Sequence, residues 1–420
     1  MTGDREFDAG ANLAVRQQYE ALPYPARDPE DERRRLIEGS PSHILELNHY
    51  VFGGRRDFRQ PFRALVAGGG TGDGAIMLAQ HLATACGPGE VVYVDPSAAS
   101  RAVAERRAAV RGLANIVFIT GTIEDLPGLA AGTFDYIDCC GVLHHLADPA
   151  RGLAALVGLL APQGGLGLMV YGPFGRTGVY PAQDLLRQLV DDGPPVERAR
   201  AARRIIDALP PSNWLKRNPF VGDYLSGGDA GLFDLLLHAR DRAYTVAQVA
   251  DLLDPAGLAI TAFIEPAAYD PRSYVSDPNI RKRAAGLGLV GRATMAELLA
   301  GNMAKHVFYA VRRDDFDRAV ARPDAPEAVP VLRMAEDDVS FAATRAGGSL
   351  AATFNGVKVH LPWPGLARPL LAAIDGVRTI DEIAASVSVE LHIARGQVLH
   401  AFAELYETLN GAGRLYLRSH

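Results

Sequence analysis

Arg63-Ala-Leu-Val-Ala-Gly-Gly-Gly-Thr-Gly-Asp-Gly74 is the stretch that decides the fold. An apolar run, Ala64 to Ala67, halts at glycine. Glycines recur at 68, 70 and 72, and Ile76, Met77, Leu78 and Leu82 then follow in a helix-like pattern. The order predicts a strand, a tight turn and a helix. Glycine adopts unusual dihedrals and lets a ligand come close to the main chain. The helix start offers exposed N–H groups and a positive dipole end to whatever sits there. Taken alone, such a turn serves dinucleotide, phosphate and nucleoside binders equally.

The next stretches narrow the choice. Val91-Val-Tyr-Val-Asp95 reads as a second strand ending in an acid, 23 residues beyond Gly72 and followed by Pro96. A carboxylate there accepts hydrogen bonds from ribose hydroxyls. The plainer alternative is a strand-end acid that caps the following helix. Gly72 is followed by Asp73 and Gly74 rather than by a spaced third glycine. A nucleoside without a pyrophosphate therefore fits better than NAD. Ile116 to Pro127 is a third strand with a polar turn that holds Thr122 and Ile123. Phe134-Asp-Tyr-Ile-Asp-Cys-Cys-Gly-Val-Leu-His-His-Leu146 is a fourth strand whose loop begins at Cys140 and Gly141.

This series resembles the class I S-adenosylmethionine methyltransferases, closely over 60–172 and more loosely over 245–315. The resemblance implies S-adenosylmethionine as cofactor and S-adenosylhomocysteine as product. It places cofactor contacts at Gly68, Gly70, Gly72, Asp95, Pro96, Thr122, Ile123, Cys140 and Gly141. Many members carry an acid two residues before the first glycine, to meet the methionine amino group. Val66 stands there in this chain, which leaves that contact to backbone acceptors. The implied fold is α/β: a Rossmann-like seven-stranded sheet with a helical insertion, an N-terminal lid and a small α+β C-terminal domain.

Because the sulfonium arrives activated, the protein mainly positions the nucleophile and takes a proton where required. The catalytic candidates are His145, Tyr171, His49 and Tyr24. The competing reading of His144 and His145 is structural hydrogen bonding within their loop. Adjacent side chains diverge, so the two make a poor metal pair, and no metal-ligand spacing appears elsewhere. The acceptor is an N or O nucleophile of a peptide or protein, or of a small molecule. The alternative to an enzyme is a regulatory or assembly protein that binds the same nucleoside without turnover.

The remaining chain frames this core. With 420 residues, two or three domains are expected. Residues 1–62 form a polar segment rich in aromatics and prolines, read as a lid over the cofactor, with Tyr19, Tyr24, His49 and Tyr50 as lining candidates. Alternatively, these rings only staple the segment to the core. The methyltransferase domain spans 63–315 and is interrupted by helices at 173–244, read as a roof for the substrate or as a contact in a homodimer. Residues 316–330, rich in Ala, Pro and Asp, read as a linker. Residues 331–420 resemble a winged-helix module of the regulatory or PqqD-type kind. A net charge of −6 argues against a nucleic-acid surface. Three cysteines without metal spacing point to a reducing compartment, and the absence of an apolar leader or membrane-length run points to the cytoplasm.

Overall fold

A computed structural model describes residues 13–129, 132–333 and 349–419. Its centre is a seven-stranded sheet made of β1 (Phe62–Ala67), β2 (Gly89–Asp95), β3 (Ile116–Thr120), β4 (Phe134–Cys140), β5 (Leu160–Tyr171), β6 (Leu258–Phe263) and β7 (Lys305–Arg312). The order across the sheet is β3-β2-β1-β4-β5-β7-β6. The first five strands pair in parallel, while β7 runs antiparallel to both β5 and β6. Strand order reverses between β1 and β4. In sheets of this kind ligands bind outside the carboxyl ends of the strands, beside such a reversal.

Both faces of the sheet are covered, which is why its strands are near-continuous apolar runs. Leu65 and Ala67 face one core with Leu153, Leu166 and Leu168. Ala64 and Val66 face the other, with Leu78, Leu82 and Tyr136. Helix α3 (Asp73–Thr84) leaves directly from the glycine turn, and α4 (Ala98–Arg111) follows β2. Ser97 caps α4, its Oγ accepting from Ser100 N–H at 3.0 Å. Gly72 has φ 104°, and a β-carbon on it would lie 2.8 Å from that of Ala104. The turn must therefore be glycine for α3 and α4 to pack this closely.

Before the sheet come a helix over residues 13–21, α1, and α2 (Ile44–Tyr50). The segment between them is bolted down by Arg107. That side chain is 1% exposed. It donates to Glu32 at 2.6 Å, to Asp73 at 2.6 Å and to the Thr71 carbonyl at 2.8 Å. Arg111 also pairs with Glu32.

The insertion after β5 carries the helices Val179–Leu189, Pro195–Ala208 and Gly228–Leu236 around an apolar cluster of its own. It departs and returns at one point: Tyr244 N–H donates to the Tyr171 carbonyl at 2.8 Å. No helix among the described residues is long and apolar enough to cross a membrane.

Toward the C-terminus, β8 (Val329–Leu332) pairs antiparallel with β11 (Leu415–Arg418), and β9 (Leu350–Phe354) forms a hairpin with β10 (Val357–Leu361). Helices Ala367–Ala373, Ile380–Leu391 and Arg395–Gly411 pack between them. Thr379 and Glu382 form a capping box at the start of the second of these helices. Residues 316–330 are packed rather than loose. Gly53 N–H donates to the Ala319 carbonyl at 2.7 Å, Ala321 N–H donates to the His49 carbonyl at 2.8 Å, and β8 itself begins in this stretch.

Two lid assignments are corrected here. His49 is fully buried, away from the crevice, with Nδ1 accepting from Leu417 N–H at 2.9 Å and Nε2 on the Tyr406 hydroxyl at 2.8 Å. Burial lowers its pKa to about 3. Tyr50 stacks on Tyr309 at 5.9 Å. The reason is that α2 turns this face toward the C-terminal unit. Glu46 on the same helix is bonded to Arg333 and to the hydroxyls of Tyr309 and Tyr416.

Replacing Arg107 with Ala leaves a buried void and removes the cation shared by Glu32 and Asp73, which then rely on Arg111 and Arg27. The expected cost is about 3 kcal/mol, read as a lower midpoint in urea unfolding with an unchanged slope.

Candidate functional site

The glycine turn is held in place from the neighbouring strand. Asp95 Oδ2 accepts from Gly70 N–H at 2.8 Å, and Oδ1 accepts from Ser97 N–H at 2.9 Å. The acid thus does the plainer job of a strand-end cap and pins the turn as well. A carboxylate has about four lone-pair directions, so two remain for a ligand. Burial pushes this carboxyl up to about 6. Tyr93 hydroxyl donates to the Gly70 carbonyl at 2.6 Å. Pro96, half-buried, stands between Asp95 and the Ser97 cap.

A strap from the N-terminus crosses this mouth. A β-carbon on Gly70 would stand 2.9 Å from the Tyr24 carbonyl. Thr71 Oγ1 donates to the Pro25 carbonyl at 2.7 Å, and Ser97 Oγ to the Tyr19 carbonyl at 3.1 Å. The Glu20 carboxylate takes the first amides of α4, Ala98 at 2.6 Å and Ala99 at 3.1 Å. Arg27 pairs with Asp73 at 2.6 Å. Tyr24 is half-buried at the mouth, and burial raises its hydroxyl above the usual phenol range.

The third and fourth loops follow. Thr122 is exposed, with N–H and Oγ1 both bonded to Asp125 Oδ2. Ile123 is corrected as a side-chain contact: it is 4% exposed and belongs to the core beneath the loop. The polar turn turns its one apolar residue inward, so only main chain is left at that rim. Cys140 N–H donates to Asp138 Oδ1 at 3.0 Å, and burial pushes the Cys140 thiol up to about 12. Gly141, at φ 80°, gives its N–H to the Met169 carbonyl at 3.1 Å.

Beside the mouth, at the end of β5, the insertion completes a buried polar roof. Asp234 accepts from the Tyr19 hydroxyl at 2.8 Å and from the Tyr171 hydroxyl at 3.2 Å. His145 and His238 stack with ring centres 3.7 Å apart, and ligand atoms of His145, Asp234 and His238 lie within 4.8 Å of one another. His145 Nδ1 lies 2.6 Å from the Arg240 carbonyl, which only accepts, so Nδ1 carries a proton and, in the neutral ring, the lone pair is on Nε2. His238 Nδ1 accepts from Arg240 N–H at 3.0 Å, so its Nε2 carries a proton, and that atom has no partner. A donor nitrogen is no metal ligand, and this tautomer makes the cluster a hydrogen-bonding site. His144 is buried against Tyr171, ring centres 4.0 Å apart, with neither nitrogen bonded. Arg176 covers the outer face of Tyr171 at 3.8 Å and pairs with Asp241.

The structure therefore brings His145, Tyr171 and Tyr24 around the mouth with Gly68, Gly70, Gly72, Asp95, Cys140 and Gly141, and it places His49 elsewhere. Sequence reasoning missed Asp234 and His238. The available signal was an acid and a histidine four residues apart in an otherwise apolar helical run.

Residues 65–166 match the family model described as a methyltransferase domain. A protein of Synechococcus sp. (strain ATCC 27144 / PCC 6301 / SAUG 1402/1), called uncharacterized protein syc1184_c, is 31% identical over 310 residues, covering 71% of each chain. Among solved structures, PKMT2 from Rickettsia typhi in complex with AdoHcy superimposes with a TM-score of 0.62 over 90% of this chain and 76% of that one, at 14% identity. PKMT2 described without AdoHcy gives 0.58 over 94% and 76%, also at 14% identity. At that identity the likeness speaks for the fold, and it extends beyond the sheet into the flanking units. The chain belongs to one family with this Synechococcus protein, and its residues 65–166 are a methyltransferase domain of the S-adenosylmethionine-dependent class.

Proposed function

We propose that the protein uses S-adenosylmethionine to methylate an amine of a peptide or protein. The observation that carries this reading is the buried roof of Asp234, Tyr19, Tyr171, His145 and His238 beside the glycine mouth. The mouth fits the cofactor: Gly68, Gly70 and Gly72 leave room for its ribose and methionyl arm, and Asp95 has lone pairs left for the ribose hydroxyls. Pro96, Thr122 and the main chain at Ile123 line the adenine side. Cys140 and Gly141 lie on the sulfonium side. When bound, the cofactor supplies an electrophilic methyl group.

The chain's own residues then handle the acceptor. An amine enters as an ammonium, and a buried carboxylate flanked by aromatic rings binds a cation well. Asp234 and the rings of Tyr19 and Tyr171 supply that environment. The ammonium must lose a proton before its lone pair can react. In the neutral ring His145 Nε2 is the nitrogen that can take that proton, because the Arg240 carbonyl holds the other ring proton on Nδ1. The unpartnered N–H of His238 marks a place for an acceptor atom of the substrate, such as a peptide carbonyl. The fold likeness to PKMT2 runs over 90% of this chain and so takes in flanking units as well as the sheet. We read the C-terminal unit, winged-helix-like in its hairpin and helices, as the part that docks that protein.

Two outcomes are expected. With deuteromethyl-labelled cofactor and a cell extract, mass spectrometry will find the label on side-chain amines of peptides. Asp234→Asn and His145→Gln will each lower turnover by about 10²-fold while calorimetry still detects S-adenosylhomocysteine. Label confined to small metabolites would remove the protein acceptor, and binding without any turnover would favour a regulatory role.

The second outcome concerns pH. Asp95 titrates near 6, above an ordinary carboxyl, because burial disfavours its charge. Ribose hydroxyls donate to the charged form. Affinity for S-adenosylhomocysteine is therefore expected to be full at pH 7.5 and to fall as the pH drops through about 6. Asp95→Asn should bind about tenfold more weakly at pH 7.5 and show a flatter profile.

A further inference from the structure

We propose that Asp138, on β4, receives the α-ammonium of the cofactor's methionyl arm. The proposal rests on the methyltransferase reading above and assigns a residue to a part of that site which the glycine turn leaves without an anion.

The placement comes from strand register. Asp138 is the direct partner of Val66 in the parallel pair β1–β4. Partners in a parallel pair stand about 4.8 Å apart and point to the same face. That face is the one α3 covers. Asp138 Oδ2 lies 3.2 Å from where a β-carbon on Gly74 would stand, at the second residue of α3. The carboxylate is thus wedged between the end of β4 and the helix start that the glycine turn feeds.

Its bonding is incomplete. Among the described residues Asp138 has two partners, Ser42 Oγ on Oδ2 and Cys140 N–H on Oδ1. It has no arginine or lysine, although it is only 3% exposed. Two lone-pair directions remain. A buried carboxylate without a cation is costly, and its protein neighbours otherwise are apolar or neutral. Burial pushes it up to about 6, as expected for an acid that awaits a countercharge. Ser42, which braces it, holds φ 81°, a backbone region that non-glycine residues rarely occupy and that concentrates at functional sites.

The ligand chemistry selects the group. The cofactor carries two positive centres. A sulfonium donates no hydrogen bond, whereas an α-ammonium has three N–H donors for the free lone pairs of a carboxylate. The aliphatic residue at 66 then needs no backbone substitute, since the acid stands one strand to the side.

Calorimetry on the full chain separates the cases, using S-adenosylhomocysteine, its desamino analogue (ammonium replaced by hydrogen) and 5′-methylthioadenosine. The wild type should bind S-adenosylhomocysteine at least about tenfold more tightly than the desamino analogue. Asp138→Asn should lose that preference and keep its affinity for the other two ligands, which also reports that it is folded. Should that variant not fold, the double variant Val66→Asp/Asp138→Val moves the acid one strand sideways and should keep the preference. An Asp138→Asn protein that still prefers S-adenosylhomocysteine by the wild-type factor, or that weakens equally toward all three ligands, would overturn the assignment. Failure of the wild type to bind any of the three would overturn the methyltransferase reading and this proposal with it.

Discussion

The bond between Asp95 and the Gly70 amide is the contact on which the site depends. A glycine turn is permissive by nature, and permissiveness alone gives no fixed shape. The shape comes from neighbours: one carboxylate on β2 takes an amide from the turn and another from the start of α4. The Tyr93 hydroxyl holds the Gly70 carbonyl from the other side. Turn, strand end and helix start are thereby locked into one unit before any ligand arrives. Preorganisation of this kind lets a nucleoside bind without first ordering the loop.

The site is built from parts far apart in the chain, and each is anchored twice. The strap touches the turn through the Pro25 carbonyl and the cap of α4 through the Tyr19 carbonyl, while Arg107, buried in α4, ties its far end through Glu32. The insertion leaves β5 at Tyr171 and returns there at Tyr244. That short closure turns a long excursion into a fixed roof, and it explains how Asp234 meets both Tyr19 and Tyr171. Buried polar groups of this sort are tolerable only when they are bonded. The roof meets that demand at Asp234, Tyr19 and Tyr171 and fails it at His144, His238 Nε2 and Asp241 Oδ1.

What the sequence disclosed follows from what is local. Glycines at 68, 70 and 72 and the acid after Val91-Val-Tyr-Val94 are signals carried within a few residues, and both reappear in the expected elements. His49 was legible as part of a helix but not as part of a face, because what covers α2 comes from Leu417 and Tyr406, more than 350 residues away. Ile123 sits in a polar turn, and nothing local says that its side chain points inward. The pairing of β8 with β11 likewise joins segments that periodicity cannot connect. Asp234 lies in a helix whose apolar character reads as packing, His238 follows two residues past its end, and only the return of the insertion to β5 gives them a role.

Electrostatics closes the question that glycine spacing opened. Asp95, Asp138 and Asp234 surround the crevice, and among the described residues none of the three pairs with arginine or lysine. Burial raises the carboxyl of each. Where arginines do occur nearby, they are committed: Arg27 and Arg107 to Asp73, Arg176 to Asp241. A pyrophosphate brought into such a mouth would meet these acids, and like charges at low dielectric repel by several kcal/mol at contact distances. A cofactor with a sulfonium and an ammonium meets the opposite sign at both centres, and binding it lowers the burial cost of the acids. The same turn, strand and helix that serve dinucleotide enzymes are thus committed to a cationic nucleoside by the carboxylates around them rather than by the glycines.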